Sequence, residues 1–204
     1  MAAAALPRVV IVPGCGCSPV ASTNWYGYLQ RELARRRELF SEVVLRDMPD
    51  ADAAHESIWV PFLLDELRCD ARTIVVGHSS GAVAAMRLLE RAPLLGVVLL
   101  SACHTDLGVE SEREAGYYAR PWAFAAQRRN AGFILQFHSA DDPFIPRREA
   151  DHVAQQLQPD TYTCFEDRAH FFTVASVRPF LADAICAAAA AAAAAAVAAA
   201  SAGR

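Results

Sequence analysis

Residues 77–81 read Gly-His-Ser-Ser-Gly. The pentapeptide follows a β-branched apolar run, 72–76 (RTIVV), and opens a run of small and apolar residues, 79–91, with helical character. A chain that leaves a strand and enters a helix within so few residues must turn sharply. Such a turn lifts its middle residue onto a strained, exposed apex. Side chains at the flanking positions would clash across the turn, which is why glycine stands at both. The Gly-x-Ser-x-Gly spacing makes Ser79 the apex residue and the candidate nucleophile, in preference to Ser80.

The rest of the chain repeats the alternation of strand and helix. Further strands are expected at 8–13 (RVVIVP), 42–46 (EVVLR), 95–100 (LGVVLL), 133–137 (FILQF) and 161–165 (TYTCF). Helices are expected at 25–36, 56–67 (with Pro61 as a kink or stop), 146–157 and 173–186. Nearly continuous apolar strands separated by helices predict a parallel sheet covered on both faces. The expected architecture is a three-layer α/β/α sandwich with a mainly parallel sheet of about six strands. The long connection from 101 to 130 follows the fourth strand, where ligands bind in such sheets, so it is a candidate lid or pocket wall.

A chain of 204 residues suits one domain. We place that domain at 1–186 and an Ala-rich low-complexity tail at 187–204, where fourteen of eighteen residues are Ala. Alanine favours helix, so the tail can extend the last helix, and by itself it is too short and too weakly apolar to cross a bilayer. Acids exceed bases, 23 to 19, which disfavours an electrostatic nucleic-acid partner. All the basic residues are Arg. With no Lys there is neither a Walker-type phosphate loop nor a lysine Schiff base for pyridoxal phosphate. Six cysteines without a leading signal-like segment are expected to be reduced thiols in the cytoplasm. Cys15-Gly16-Cys17 lacks a second ligand pair at zinc spacing, so no metal is expected.

A serine hydroxyl needs a base, and the base an orienting acid. Four histidines lie downstream of Ser79: 104, 138, 152 and 170. His170, in a short loop between the sixth strand and the last helix, is the candidate base. The candidate acid is Asp142 after the fifth strand, stiffened by the Pro-x-x-Pro that follows, with Asp141 as reserve. Two backbone N–H groups are candidates to hold an oxyanion: that of Ser80, and that of Cys15 in the loop after the first strand, with Gly16 as the alternative. Trp25, Tyr26, Tyr117, Tyr118 and Trp122 are candidate walls of a substrate pocket, with Trp25, Tyr117 and Trp122 foremost. A substrate amine would call for a carboxylate, for which Asp106 and Glu110 are the candidates. No metal or organic cofactor is needed. The expected partner is a small molecule or short peptide, with no nucleic acid and no membrane. The alternative is a non-catalytic interaction module on the same scaffold, against which the three polar groups at three strand ends argue.

The chain resembles the retinoblastoma-binding protein 9 family of small serine hydrolases. The resemblance lies in VIVPG (10–14), NWYGYL (24–29), MPD (48–50), ESIW (56–59), GHSSGAVAAMR (77–87), DLG (106–108), GYYARPW (116–122), DDPFIP (141–146) and AHF (169–171). It implies a small α/β-hydrolase fold, a Ser-Asp-His triad falling on Ser79, Asp142 and His170, and hydrolysis of small ester or amide substrates with aminopeptidase-like activity. The family's Leu-x-Cys-x-Glu partner motif reads here Leu67-Arg68-Cys69-Asp70-Ala71. Ala71 in place of the Glu counts against retinoblastoma-type binding.

Overall fold

Alternate residues of each strand enter two different cores, which is what period-two side-chain geometry demands of a sheet covered on both sides. Val10, Val12, Val75, Val97, Leu99 and Ile134 face one core. Val9, Ile11, Ile74, Val76, Val98, Leu100, Leu135 and Phe137 face the other. The computed structural model describes residues 5–202. The start of the alanine run at 1–4 and the last two tail residues, 203 and 204, lie outside the described residues.

The strands are β1 (Arg8–Val12), β2 (Glu42–Leu45), β3 (Thr73–His78), β4 (Gly96–Leu100), β5 (Ile134–Ser139) and β6 (Thr161–Phe165). They form one sheet in the order β2-β1-β3-β4-β5-β6, with every neighbouring pair parallel. Helices α1 (Tyr26–Ala34), α7 (Val174–Val177) and α8 (Phe180–Ala202) cover one face through Leu29, Leu33, Val177, Leu181 and Ile185. Helices α2 (Glu56–Pro61), α3 (Ser80–Leu89), α5 (Phe124–Asn130) and α6 (Arg147–Leu157) cover the other, with Trp59, Val60, Val153 and Leu157 against it. Burying each such Val or Leu contributes about 1.5–3 kcal/mol, so the two cores together fix the layering. The chain turns outward from β1 to β2 and then crosses to β3 on the far side of β1. This reversal opens a crevice at the carboxyl ends of β1 and β3.

Three local features differ from the periodicity-based expectation. Pro61 cannot donate a backbone hydrogen bond, and beyond it the helix widens to a π-helical turn, Phe62–Glu66, with Leu67 N–H donating to Phe62 O at 2.9 Å. The expected final helix is two, because Arg178 before Pro179 is held extended (φ −84°, ψ 142°). The connection after β4 contains two short helices, α4 (Glu110–Glu114) and α5. In keeping with the helix preference of alanine, the alanines of the tail continue α8 without a break at 186. Joined to its preceding turns, they make a helix long and apolar enough, by length and composition alone, to cross a membrane.

Candidate active site

Ser79 stands between β3 and α3 at φ 54°, ψ −121°, a conformation that costs a non-glycine residue about 1–3 kcal/mol. The turn is pinned on both sides: Ser79 N–H donates to Leu100 O at 2.9 Å, and Ser79 O accepts from Ala82 N–H at 2.8 Å. The flanking glycines are sterically required. A Cβ on Gly77 would lie 2.4 Å from Gly81 O, and one on Gly81 would lie 2.3 Å from Val12 O. Both separations are far inside van der Waals contact.

Asp142 follows β5 and His170 follows β6. His170 Nδ1 lies 2.8 Å from Asp142 Oδ2, and the carboxylate side chain is fully buried. The same oxygen accepts from Ser101 Oγ at 2.8 Å, and the other accepts from the Phe144 and Ile145 N–H groups at 2.9 and 3.0 Å. Burial works to raise the Asp142 pKa, but the His170 hydrogen bond and charge and the two N–H donors outweigh it and hold the group below the usual carboxylate range. Asp141, the reserve acid, is turned the other way. It accepts from Ser139 Oγ at 2.6 Å and Ala169 N–H at 2.8 Å, bracing the His170 loop from behind.

A buried chain of hydrogen bonds links the loop after β1 to the loop after β6. His78 Nε2 lies 2.8 Å from His170 O, and a carbonyl only accepts, so Nε2 carries the proton. Nδ1 therefore accepts from the Tyr26 hydroxyl at 2.7 Å. That hydroxyl oxygen in turn accepts from Gly14 N–H at 3.0 Å and Asn24 Nδ2 at 3.3 Å. Burial drives the His78 pKa down to about 3, so the ring is neutral at physiological pH.

Ser79, Ser80, Cys15 and His170 line one cavity of about 400 Å³ above the strand ends. Ser80 is the first residue of α3, where a backbone N–H has no intrahelical acceptor. Cys15 N–H makes one long contact, 3.4 Å to Ser80 Oγ. Gly16 N–H, the alternative, is committed to Ala51 O at 2.8 Å.

Of the five aromatic residues expected as pocket walls, Trp25, Tyr26, Tyr117 and Trp122 do not line the cavity. Trp25 is fully buried and donates Nε1–H to Phe171 O at 2.7 Å. Tyr117 is 1% exposed within the core beside α3. Trp122 lies under the Arg87 guanidinium, 3.7 Å from ring centroid to Cζ, and donates to His104 O at 2.8 Å. The fifth, Tyr118, does wall the cavity, together with Phe144, Phe172, Val83, Leu107 and Val109. Tyr117 and Tyr118 are adjacent, and one is buried in the core while the other lines the cavity. Phe144 and Phe172 flank His170 with centroids 5.1 and 5.3 Å from its ring.

Neither expected amine anchor reaches the cavity. Asp106 and Glu110 both pair with the exposed Arg113, at 3.1 and 2.5 Å. Glu112, which the sequence reading passed over, does line it. The other histidines serve elsewhere: His104 Nδ1 lies 2.8 Å from Glu149 and its ring stacks on His152, while His138 is sealed in the sheet. Leu67 and Cys69 of the Leu-x-Cys-x-Ala segment are buried in the core.

Residues 9–177 match the family model described as serine hydrolase. The protein belongs to the serine hydrolase family. Serine hydrolase RBBP9 of Rattus norvegicus is 44% identical over 164 residues, covering 80% of this chain and 87% of the rat protein, which places the chain among the small serine hydrolases of the RBBP9 family. The fold is shared with the ydeN gene product of B. subtilis, at 22% identity and a TM-score of 0.75 over 89% of this chain and 98% of that one. It is shared too with an esterase from Exiguobacterium antarcticum, at 11% identity and a TM-score of 0.62 over 90% and 91%. This serine hydrolase gathers its polar cavity residues from the strand ends rather than from one segment.

Proposed function

We propose that this serine hydrolase cleaves small carboxylic esters or amides through an acyl-enzyme on Ser79. His170 Nε2 takes the hydroxyl proton as Oγ bonds to the substrate carbonyl carbon. The carbonyl electron pair moves onto oxygen, where the N–H groups of Ser80 and Cys15 stabilise it. The oxyanion collapses, the bond to the leaving group breaks, and the proton on His170 passes to that leaving group. Water then repeats the sequence, releasing the acid and restoring Ser79. Asp142 fixes the imidazole tautomer and stabilises its charged form. The observation that carries this reading is the 2.8 Å His170–Asp142 contact, buried beside a serine held on a strained turn in the same cavity. The cavity volume lies near the lower end for ligand sites, which favours small substrates. Six free cysteines suit a reducing, cytoplasmic setting.

A fluorophosphonate probe tests the assignment. Wild type and Ser80→Ala are expected to label, and folded Ser79→Ala is not. A folded wild-type protein that does not label, or labelling that survives Ser79→Ala, would overturn it.

A further inference from the structure

We infer that His78 and Tyr26 are positioning residues, which hold the proposed base His170 and the proposed oxyanion loop at fixed places around Ser79. This role rests on the acyl-enzyme reading above. His78 does two things at once. Its main chain ends β3 and carries Ser79 as the next residue. Its side chain donates Nε2–H to the carbonyl of His170 itself, at 2.8 Å. One residue therefore joins nucleophile and base, and the two imidazole rings stand 4.9 Å apart between centroids.

The base needs such a hold. Its neighbours Ala169 and Phe171 both have left-handed backbone, at φ 46° and 53°, which non-glycine residues keep only where their surroundings over-determine it. Asp141 takes the Ala169 N–H from one side, at 2.8 Å. From the other side the carbonyls of His170 and Phe171 accept from His78 Nε2–H and Trp25 Nε1–H, at 2.8 and 2.7 Å. Tyr26 extends the hold to the opposite loop. Its hydroxyl donates to His78 Nδ1 at 2.7 Å, which keeps the proton on Nε2, where the His170 carbonyl requires it. The same oxygen accepts from Gly14 N–H at 3.0 Å, one residue before the Cys15 N–H. Both side chains are buried, where a hydrogen bond is stronger and a missing one costlier than in water.

The test separates the two ring nitrogens of His78. Gln brings an amide N–H to where Nε2 stands, whereas Asn reaches only as far as Nδ1. Activity is read on any ester the wild type turns over, with folding checked by urea denaturation. His78→Asn is expected to lower kcat about 10²-fold, the effect of displacing a reacting group by about 1 Å, with little change in KM. His78→Gln is expected to recover about 10-fold of that loss, the worth of one buried hydrogen bond. Tyr26→Phe, which keeps the ring and loses only the hydroxyl, is expected to lower kcat about 10-fold. Residues that merely fill core space would give losses that follow the urea midpoints. Equal kcat for His78→Asn and His78→Gln, or a wild-type kcat in Tyr26→Phe, overturns the inference. Should His78→Asn not fold, Tyr26→Phe decides alone.

A second measurement needs no turnover. In wild type labelled with nitrogen-15 at histidine, magnetic resonance is expected to show the His78 proton on Nε2 and a bare Nδ1, and a proton on Nδ1 overturns the inference. The His170 Nδ1–H, bonded to Asp142, is expected as a sharp, slowly exchanging downfield signal in wild type and His78→Gln, and as a broadened one in His78→Asn. No difference between wild type and His78→Asn overturns the inference. Failure of the wild type to label with the fluorophosphonate would instead count against the acyl-enzyme reading, and these spectra still decide whether His78 holds the His170 loop.

Discussion

Four hydrogen bonds converge on the Asp142 carboxylate, from His170, Ser101, Phe144 and Ile145. Replacing it by Asn would put an NH₂ group against one of these donors and favour the wrong His170 tautomer. A loss of about 10⁴-fold in kcat is expected, measured on any ester the wild type turns over. His78 gives a second prediction. Its folded pKa is near 3 because it is buried, against an ordinary 6.5. Between those values the unfolded chain binds a proton that the folded chain refuses. Stability therefore falls as pH drops from about 6.5 towards 3, and the depressed Asp142 pKa adds to the loss at the acidic end. Urea midpoints across that range should fall steeply for wild type and less steeply for His78→Asn. The residues at the strand ends were legible because the Gly-x-Ser-x-Gly turn imposes local steric demands that the letters themselves state. The wall residues were not. Whether Tyr117 or Tyr118 faces the cavity, or Glu110 or Glu112, depends on how a loop lies against α3 and on where Arg113 draws its partners.

That loop is held by one buried side chain. Arg87, on α3 and without exposed surface, donates to the carbonyls of Tyr117, Arg120 and Pro121 and pairs with Glu90 at 2.8 Å. Its guanidinium also covers Trp122. The whole segment 116–122 is thereby bound to the helix that begins at Ser79. Arg87→Leu would leave the nearly buried Glu90 carboxylate with only the longer contact to the exposed Arg120, at 3.4 Å, and the carbonyls short of donors. A loss of about 3–5 kcal/mol in urea denaturation is expected, with faster hydrogen exchange over 116–122. Strands and long helices were readable from their periods, since each must present an apolar face to a core. The helices α4 and α5 were not, because five and seven residues carry too little periodicity. Their placement is decided by contacts such as those of Arg87, which no local pattern announces.

Taken whole, the molecule divides its last helix into two unlike parts. Leu181, Ile185 and Ala189 are buried against the sheet, whereas residues 193–202 are exposed. Deleting 193–204 is expected to shift the denaturation midpoint by less than about 0.5 kcal/mol equivalent. Deletion from 181 would uncover the face beneath Leu181 and Ile185 and prevent folding. The exposed part is alanine-rich, the composition with the highest intrinsic preference for helix, and it grows from a turn already anchored. It is therefore a stiff spar about 15 Å long, not a loose string. Whatever is joined beyond Ala202, whether a fluorophore or a surface for immobilisation, would inherit a set direction and stand-off from the body of the enzyme.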